Sequence, residues 1–167
     1  KILKALSLSD AGIVNGFRDE FKKIESYGID MIFCNDDEAI AFAGTETFDD
    51  AVSFYKEQAY MIAITKGSEG SLIIKNGKEI FSPAESINPV DTNGAGDMFA
   101  GSFMYAYLNG FDLASCAEFS NFASSKIVET FGPRLTPDGY REVLNKLKND
   151  GFLSTFEKFS PYRLLRW

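Results

Sequence analysis

The sequence predicts an α/β protein with an open, mostly parallel sheet and helices on both faces. Three observations carry that prediction. Short apolar runs, Met31–Cys34 and Tyr60–Thr65, have the length and composition of strands buried on both faces. Segments with helical start and stop signals separate them, as βαβ units require. The C-terminal half is then helical, with a clear cap at the head of its later helices.

Ile2–Leu8 reads as a short strand, followed by a helix from about Val14 to Tyr27 that Gly28 stops, since glycine accepts the left-handed conformation after a last turn. After the strand at 31–34 comes a short helix to about Ala43. Another runs from Phe48 to about Gln58, with Thr47 as its N-cap. Beyond the strand at 60–65, SLIIK-NG-KEIF predicts a hairpin, because Asn76-Gly77 suits the two positive-φ positions of a type I′ turn. A loop carrying Pro83 and Pro89 leads into a helix from about Ala95 to Leu108, ended by Gly110. Asp112 caps a long helix to about Val128. Thr136, with Pro137 in the first helical position, starts the last helix, to about Lys148. The tail beyond Gly151 is weakly patterned.

Composition narrows the function. The 167 residues are 45% hydrophobic and 25% charged, a globular balance with enough chain for one sizeable core. A net charge of −7 without a basic block makes a poor binder of nucleic acid or anionic membranes. No segment reaches the roughly 18 apolar residues of a membrane span. The chain has no His, which removes Ser-His-Asp triads, His-ligated metals and a histidine base. Its two cysteines, Cys34 and Cys116, form no CxxC pair and fit buried thiols in a reducing cytosol. The opening KILKALSLSD has neither Met nor a signal-peptide n-region and reads as mid-sequence.

The most informative stretch is Asp91-Thr92-Asn93-Gly94-Ala95-Gly96-Asp97, which runs straight into a helix. Two glycines around one small residue let backbone N–H groups approach a guest at a positive helix N-terminus, an arrangement suited to phosphate. Asp97 falls in the first turn, where the carboxylate is stabilised as the anion. Such an Asp is a weak base, but phosphoryl transfer works mainly by positioning and charge stabilisation. The bland alternative is a common tight turn with an acidic macrodipole partner. Neither GxxxxGK[ST] nor GxGxxG occurs.

DTNGAGD resembles, in all seven residues, the D-T-x-G-A-G-D signature of the ribokinase-like (PfkB) family of carbohydrate and nucleoside kinases. The resemblance implies that the backbone of Gly94, Ala95 and Gly96 forms an anion hole for the transferring γ-phosphoryl group. It also implies that Asp97 is the base for the acceptor hydroxyl.

Further segments carry both readings. Asn35-Asp36-Asp37-Glu38 is spaced as a capping box; it also resembles the family's N-x-x-E motif, which implies that Glu38, with Asn35, organises Mg²⁺ partly through water. Thr65-Lys66-Gly67-Ser68-Glu69-Gly70 is a turn after a strand. It is similar to a family T-x-G-x-x-G segment, which implies contact from Thr65 and Gly67 to ATP. Lys66 either reaches a phosphate or faces water. Asn121, taken alone, is a polar position on a solvent face; the family has a similar Asn near the adenine. Gly132 matches the family's glycine after that helix, in a loop bordering the nucleotide and a monovalent cation (K⁺) site shared with Asp91. Pro133 departs from the small residue usual there. The aromatic residues (16 Phe, seven Tyr, one Trp) are read as core, since Phe99, Phe103 and Tyr107 recur on one helix face.

The resemblance covers roughly residues 1–148 and corresponds to the C-terminal half of a family member. It implies that residues 1–167 are the C-terminal portion of a kinase domain whose N-terminal substrate-and-lid half is absent. The implied reaction is transfer of the ATP γ-phosphoryl group to a primary alcohol of a sugar or nucleoside. Adenosine is slightly preferred, because LSLSD and FRDEF look like the bacterial adenosine-kinase-like branch. The alternatives are a hydroxymethylpyrimidine- or pyridoxal-type vitamin kinase and a non-catalytic nucleotide-binding fragment. This chain alone is expected to be inactive. The implied partners are ATP and a small sugar or nucleoside, with a homodimer formed through the missing lid. The implied location is the cytoplasm.

Overall fold

The structure, a computed structural model, describes residues 2–149; the weakly patterned tail beyond Gly151 lies outside the described residues. The chain divides into two compact units, residues 1–86 and 87–167.

The first unit is built on a five-stranded sheet in the order β1-β2-β3-β4-β5, with β1 at Ala5–Ser7, β2 at Met31–Asn35, β3 at Met61–Thr65, β4 at Gly70–Lys75 and β5 at Lys78–Pro83. β1, β2 and β3 pair in parallel, and β3, β4 and β5 pair antiparallel, so the sheet is mixed. The apolar runs become β2 and β3, whose first four residues are all buried. Asn76 (φ 51°) and Gly77 (φ 72°) make the β4–β5 turn with two positive φ angles, as their sequence predicts.

The helix expected from Val14 to Tyr27 is two helices, α1 at Ala11–Gly16 and α2 at Arg18–Ser26. The break is at Phe17 (φ −126°, ψ 35°), directly after the weak helix former Gly16. Asp10, accepting from Ile13 N at 2.9 Å, starts α1 earlier than the apolar spacing suggests. α3 (Asp36–Ala43) and α4 (Phe48–Lys56) follow; Thr47 caps α4 by accepting from Asp50 N at 3.2 Å. Alternate residues of the strands (Ile32, Cys34, Ile62, Ile64, Leu72, Ile74) pack with Val14, Phe42, Ala51 and Tyr55 from the helices into one core. The buried Tyr55 hydroxyl donates to Ala39 O at 2.7 Å, joining α4 to α3.

The second unit is helical among its described residues: α5 at Ala95–Leu108, α6 at Leu113–Val128 and α7 at Pro137–Asn149. Asp112 caps α6 (Ser115 N, 2.9 Å) and Thr136 caps α7 (Gly139 N, 3.1 Å), as expected. Phe99 stacks on Phe103 (6.0 Å between centroids) and Phe103 on Tyr107 (6.4 Å), the expected core-facing row of α5. Lys126 and Lys146 of α6 and α7 pair across to Glu142 (2.9 Å) and Glu118 (3.0 Å). Both cysteines are free and buried; burial, with the Asp112 charge, pushes the Cys116 thiol up to about 12.

Candidate active site

In the first unit the candidate residues lie at the carboxyl ends of the two parallel core strands, the usual ligand end of such a sheet. Asn35 and Thr65 are register partners on β2 and β3. Asn35 also caps α3, and the capping box is complete. Its Oδ1 accepts from Glu38 N (2.8 Å), and Glu38 Oε2 accepts from Asn35 N (3.1 Å). Glu38 Oε1 accepts from Asn35 Nδ2 at 3.1 Å, so both carboxylate oxygens are held in place with acceptor capacity to spare. Glu38 is only 7% exposed. Burial raises its pKa; the Asn35 N–H opposes this, and the charges of Asp10, Asp37 and Asp36 add to it. Among the described residues no three His, Cys, Asp or Glu side chains cluster as a metal-binding group.

The glycine segment after β3 splits into two kinds of position. Gly67 (φ 53°) opens a 3-10 turn with nothing within 4 Å of a Cβ built there, so the space in front of it is open. Gly70 is different: a Cβ there would stand 2.1 Å from Ser82 O and 2.7 Å from Ala84 N. Gly70 is therefore demanded by the β4–β5 pairing. Lys66 does not hang free in water; its Nζ sits 2.8 Å from Glu69 Oε2 and 4.8 Å over the Phe48 ring.

In the second unit Asp91 ties two segments together. Its Oδ1 accepts from Asn93 N (3.0 Å) and its Oδ2 from Gly132 N (2.9 Å), forty-one residues on. These N–H donors, Asn93 first, hold its carboxyl below the usual range. Val90 N donates to Val128 O at 2.7 Å alongside. Pro133 closes against the turn: its Cα lies 3.0 Å from where a Gly94 Cβ would stand. Gly94 itself has φ 82°, so neither its backbone nor its surroundings accept a side chain.

Gly94 is the N-cap of α5, which has no side-chain cap, whereas Asp10, Asn35, Thr47 and Asp112 cap α1, α3, α4 and α6. The Ala95 amide donates to Thr92 O at 3.2 Å; among the described residues the Gly94 and Gly96 amides make no such bond. The head of α5 thus keeps donors for an outside acceptor. Asp97 is exposed in the first turn, with open space at Gly96. It also borders a groove of about 420 Å³ walled by Met98, Gly101, Tyr105 and Tyr140. Asn121 is not on a solvent face; it is 9% exposed, within the buried side of α6. Sequence reasoning missed Ser124, whose hydroxyl donates to Ala95 O at 3.1 Å and fixes the first turn of α5 from α6. A serine in a helix of small residues carries no mark of that role.

An α/β sheet with polar strand ends, and a glycine turn that leaves a helix head uncapped, define a class of phosphate-handling proteins. Within that class the chain belongs to the pfkB family of carbohydrate kinases, whose profile its residues 4–138 match. It is 40% identical over 74 residues to an uncharacterized sugar kinase of Archaeoglobus fulgidus (44% of this chain, 30% of that protein). It is 34% identical over 98 residues to the ribokinase of Bacillus subtilis (59% of this chain, 32% of that protein). The crystal structure of adenosine kinase from Sinorhizobium meliloti superposes with a TM-score of 0.81 at 30% identity, covering 86% of this chain and 45% of that one. The chain spans about a third of the length of those curated relatives and under half of that structure. No helix among the described residues is long and apolar enough to cross a membrane.

Proposed function

We propose that this chain is the phosphate-handling, C-terminal part of an ATP-dependent kinase that phosphorylates a primary alcohol of a sugar or nucleoside, with adenosine slightly preferred. The observation that carries the reading is the uncapped, glycine-lined head of α5 with Asp97 exposed in its first turn. The acceptor oxygen forms a bond to the γ-phosphorus while the bond from that phosphorus to the β-phosphate oxygen breaks. Asp97 takes the hydroxyl proton, and the leaving group is ADP. Backbone donors at Gly94, Ala95 and Gly96 hold the negative charge of the phosphoryl group in flight, the Gly94 and Gly96 amides being the uncommitted ones. Thr65, Gly67, Asn121 and Gly132 border the nucleotide.

Glu38 suits a hard cation: it is a buried oxygen donor whose charged form burial disfavours and the charges of Asp10, Asp37 and Asp36 disfavour further, so a cation relieves its charge. In this reading Glu38 and Asn35 hold Mg²⁺ partly through water, and when bound the ion neutralises phosphate charge. Asp91, kept ionised by two backbone donors, is the group for a monovalent cation such as K⁺. In this reading the intact enzyme is cytoplasmic and pairs as a homodimer through a lid lying outside this chain. Because the chain spans under half of its relatives, this stretch alone is expected to lack turnover.

The test is ADP release by the protein of the complete reading frame, measured against sugars, nucleosides and vitamin alcohols. Asp97→Asn is expected to lower kcat by about 10²–10⁴-fold, the range for a general base, with ATP affinity retained. Undiminished turnover of that variant refutes the base assignment. Turnover by residues 1–167 alone refutes the partial-domain reading.

A further inference from the structure

The head of α5 offers only part of the positive charge that a transferring phosphoryl group needs: a helix N-terminus amounts to about half an elementary charge. Among the described residues of the second unit, three of the five cations are held in ion pairs. Lys126 pairs with Glu129 and Glu142, Lys146 with Glu118, and Arg141 with Asp138. Arg134 is the exception beside the site. It is exposed, and among the described residues it makes no ion pair or hydrogen bond.

Its backbone is placed with care. Gly132 N is clamped by Asp91, and Pro133, with its ring-locked φ, presses on Gly94. The Arg134 Cα follows about 3.8 Å beyond the Pro133 Cα, which itself lies against the anion-hole turn. Bond lengths near 1.5 Å give the side chain a reach of roughly 6 Å from there. By length alone the guanidinium is therefore within reach of the space beside Gly94.

We propose that Arg134 is a catalytic residue of this site, its guanidinium binding the non-bridging oxygens of the transferring phosphoryl group opposite the backbone donors of the α5 head. This rests on the kinase reading above. The planar fork matches phosphate oxygens bidentately, and being always charged it needs no proton in flight. It gains most when the oxygens carry most charge, which favours the transition state over bound ATP.

The experiment uses the complete reading frame, with wild type, Arg134→Ala and Arg134→Lys assayed by ADP release. Arg134→Ala is expected to lower kcat by about 10²–10³-fold, the range for losing one charge-stabilising donor, with KM for the acceptor within about threefold. Arg134→Lys, which keeps the charge and loses the fork, falls between. Millimolar guanidinium chloride is expected to restore at least about tenfold to Arg134→Ala and nothing to wild type, which a merely structural role would not produce. An active wild type with Arg134→Ala within about threefold of it in kcat overturns the Arg134 proposal and leaves the kinase reading standing. Loss of kcat that guanidinium does not restore also overturns it, whether or not Tm falls. A wild type inactive on every acceptor brings down the kinase reading, and the role of Arg134 with it.

Discussion

Replacing Gly67 and Gly70 by Ala, one at a time, separates the two duties that the segment Thr65–Gly70 combines. At Gly67 the φ of 53° is an ordinary left-handed angle and the space around an added Cβ is empty. Ala there costs about 1–2 kcal/mol of backbone strain. The stiffer unfolded chain offsets about 0.4–1 kcal/mol of it, leaving a net loss near 1 kcal/mol. At Gly70 the pair φ 125°, ψ −133° is close to glycine-only territory, costing about 1–3 kcal/mol. The added Cβ also meets three backbone atoms, at 2.1, 2.7 and 2.7 Å, none of which can rotate away. Relief requires parting the Gly70–Pro83 end of the β4–β5 ladder, and with overpacking of about 1–3 kcal/mol the loss comes to roughly 4 kcal/mol. With a urea m-value of about 2 kcal/mol/M, the midpoints move by about 0.5 M for Gly67→Ala and about 2 M for Gly70→Ala. Equilibrium urea unfolding followed by far-UV circular dichroism reads both. Equal midpoints refute the division, as does a Gly70→Ala midpoint within about 0.5 M of wild type.

Gly94→Ala carries both costs at once, the left-handed angle and a 3.0 Å approach to Pro133, and is expected to lose about 2–3 kcal/mol in the same unfolding experiment. Asp91 has a depressed folded-state pKa, so its stabilisation is complete above the unfolded value and is lost as pH falls through the folded one. Asp91→Asn should therefore flatten the acid limb of a stability–pH profile below the ordinary carboxylate range, and an unchanged limb counts against the Asp91–Gly132 clamp. Glu38 has the opposite sign: its raised pKa means it favours the fold when protonated and disfavours it as pH rises through that pKa. Added Mg²⁺ should raise Tm at neutral pH in wild type and less in Glu38→Gln; an equal rise in both refutes a cation at Glu38.

What was legible in the sequence was whatever local chemistry decides. Gly28, Thr47, Asp112, Thr136 and the Asn76-Gly77 turn act through their own backbone or one turn of helix, and each stands where its residue type implies. The division of α1 from α2 was not legible, because the apolar spacing from Val14 onward continues a helical period across Phe17. The buried position of Asn121 and the bond from Ser124 to Ala95 depend on which face of α6 turns inward, a tertiary fact. In the site, DTNGAGD marks the turn itself, yet nothing local shows that Asp91 reaches across forty-one residues to Gly132. The departure at Pro133 becomes intelligible only in space, as the residue that packs on Gly94.

That packing bears on how a helix head without histidine beside it in this chain handles charge. In the proposed reaction Asp97, in the first turn of α5, and the phosphoryl group both seek the same helix head. Two unit charges of like sign at 4 Å repel by about 4 kcal/mol at an effective dielectric of 20, and half a charge of helix dipole does not cancel that. A cation must therefore enter with the nucleotide or be supplied by the protein beside the turn. In that reaction the magnesium that accompanies ATP is one such cation, and an arginine at 134 is the protein's own. The two are not interchangeable. A metal carried in with ATP is present in the ground state, whereas a side chain on the loop at Gly94 can strengthen its hold as charge moves onto the transferring oxygens. Raising Mg²⁺ concentration should accordingly leave the kcat of Arg134→Ala depressed. Full recovery at saturating Mg²⁺ would show that the metal supplies all the positive charge this transfer needs.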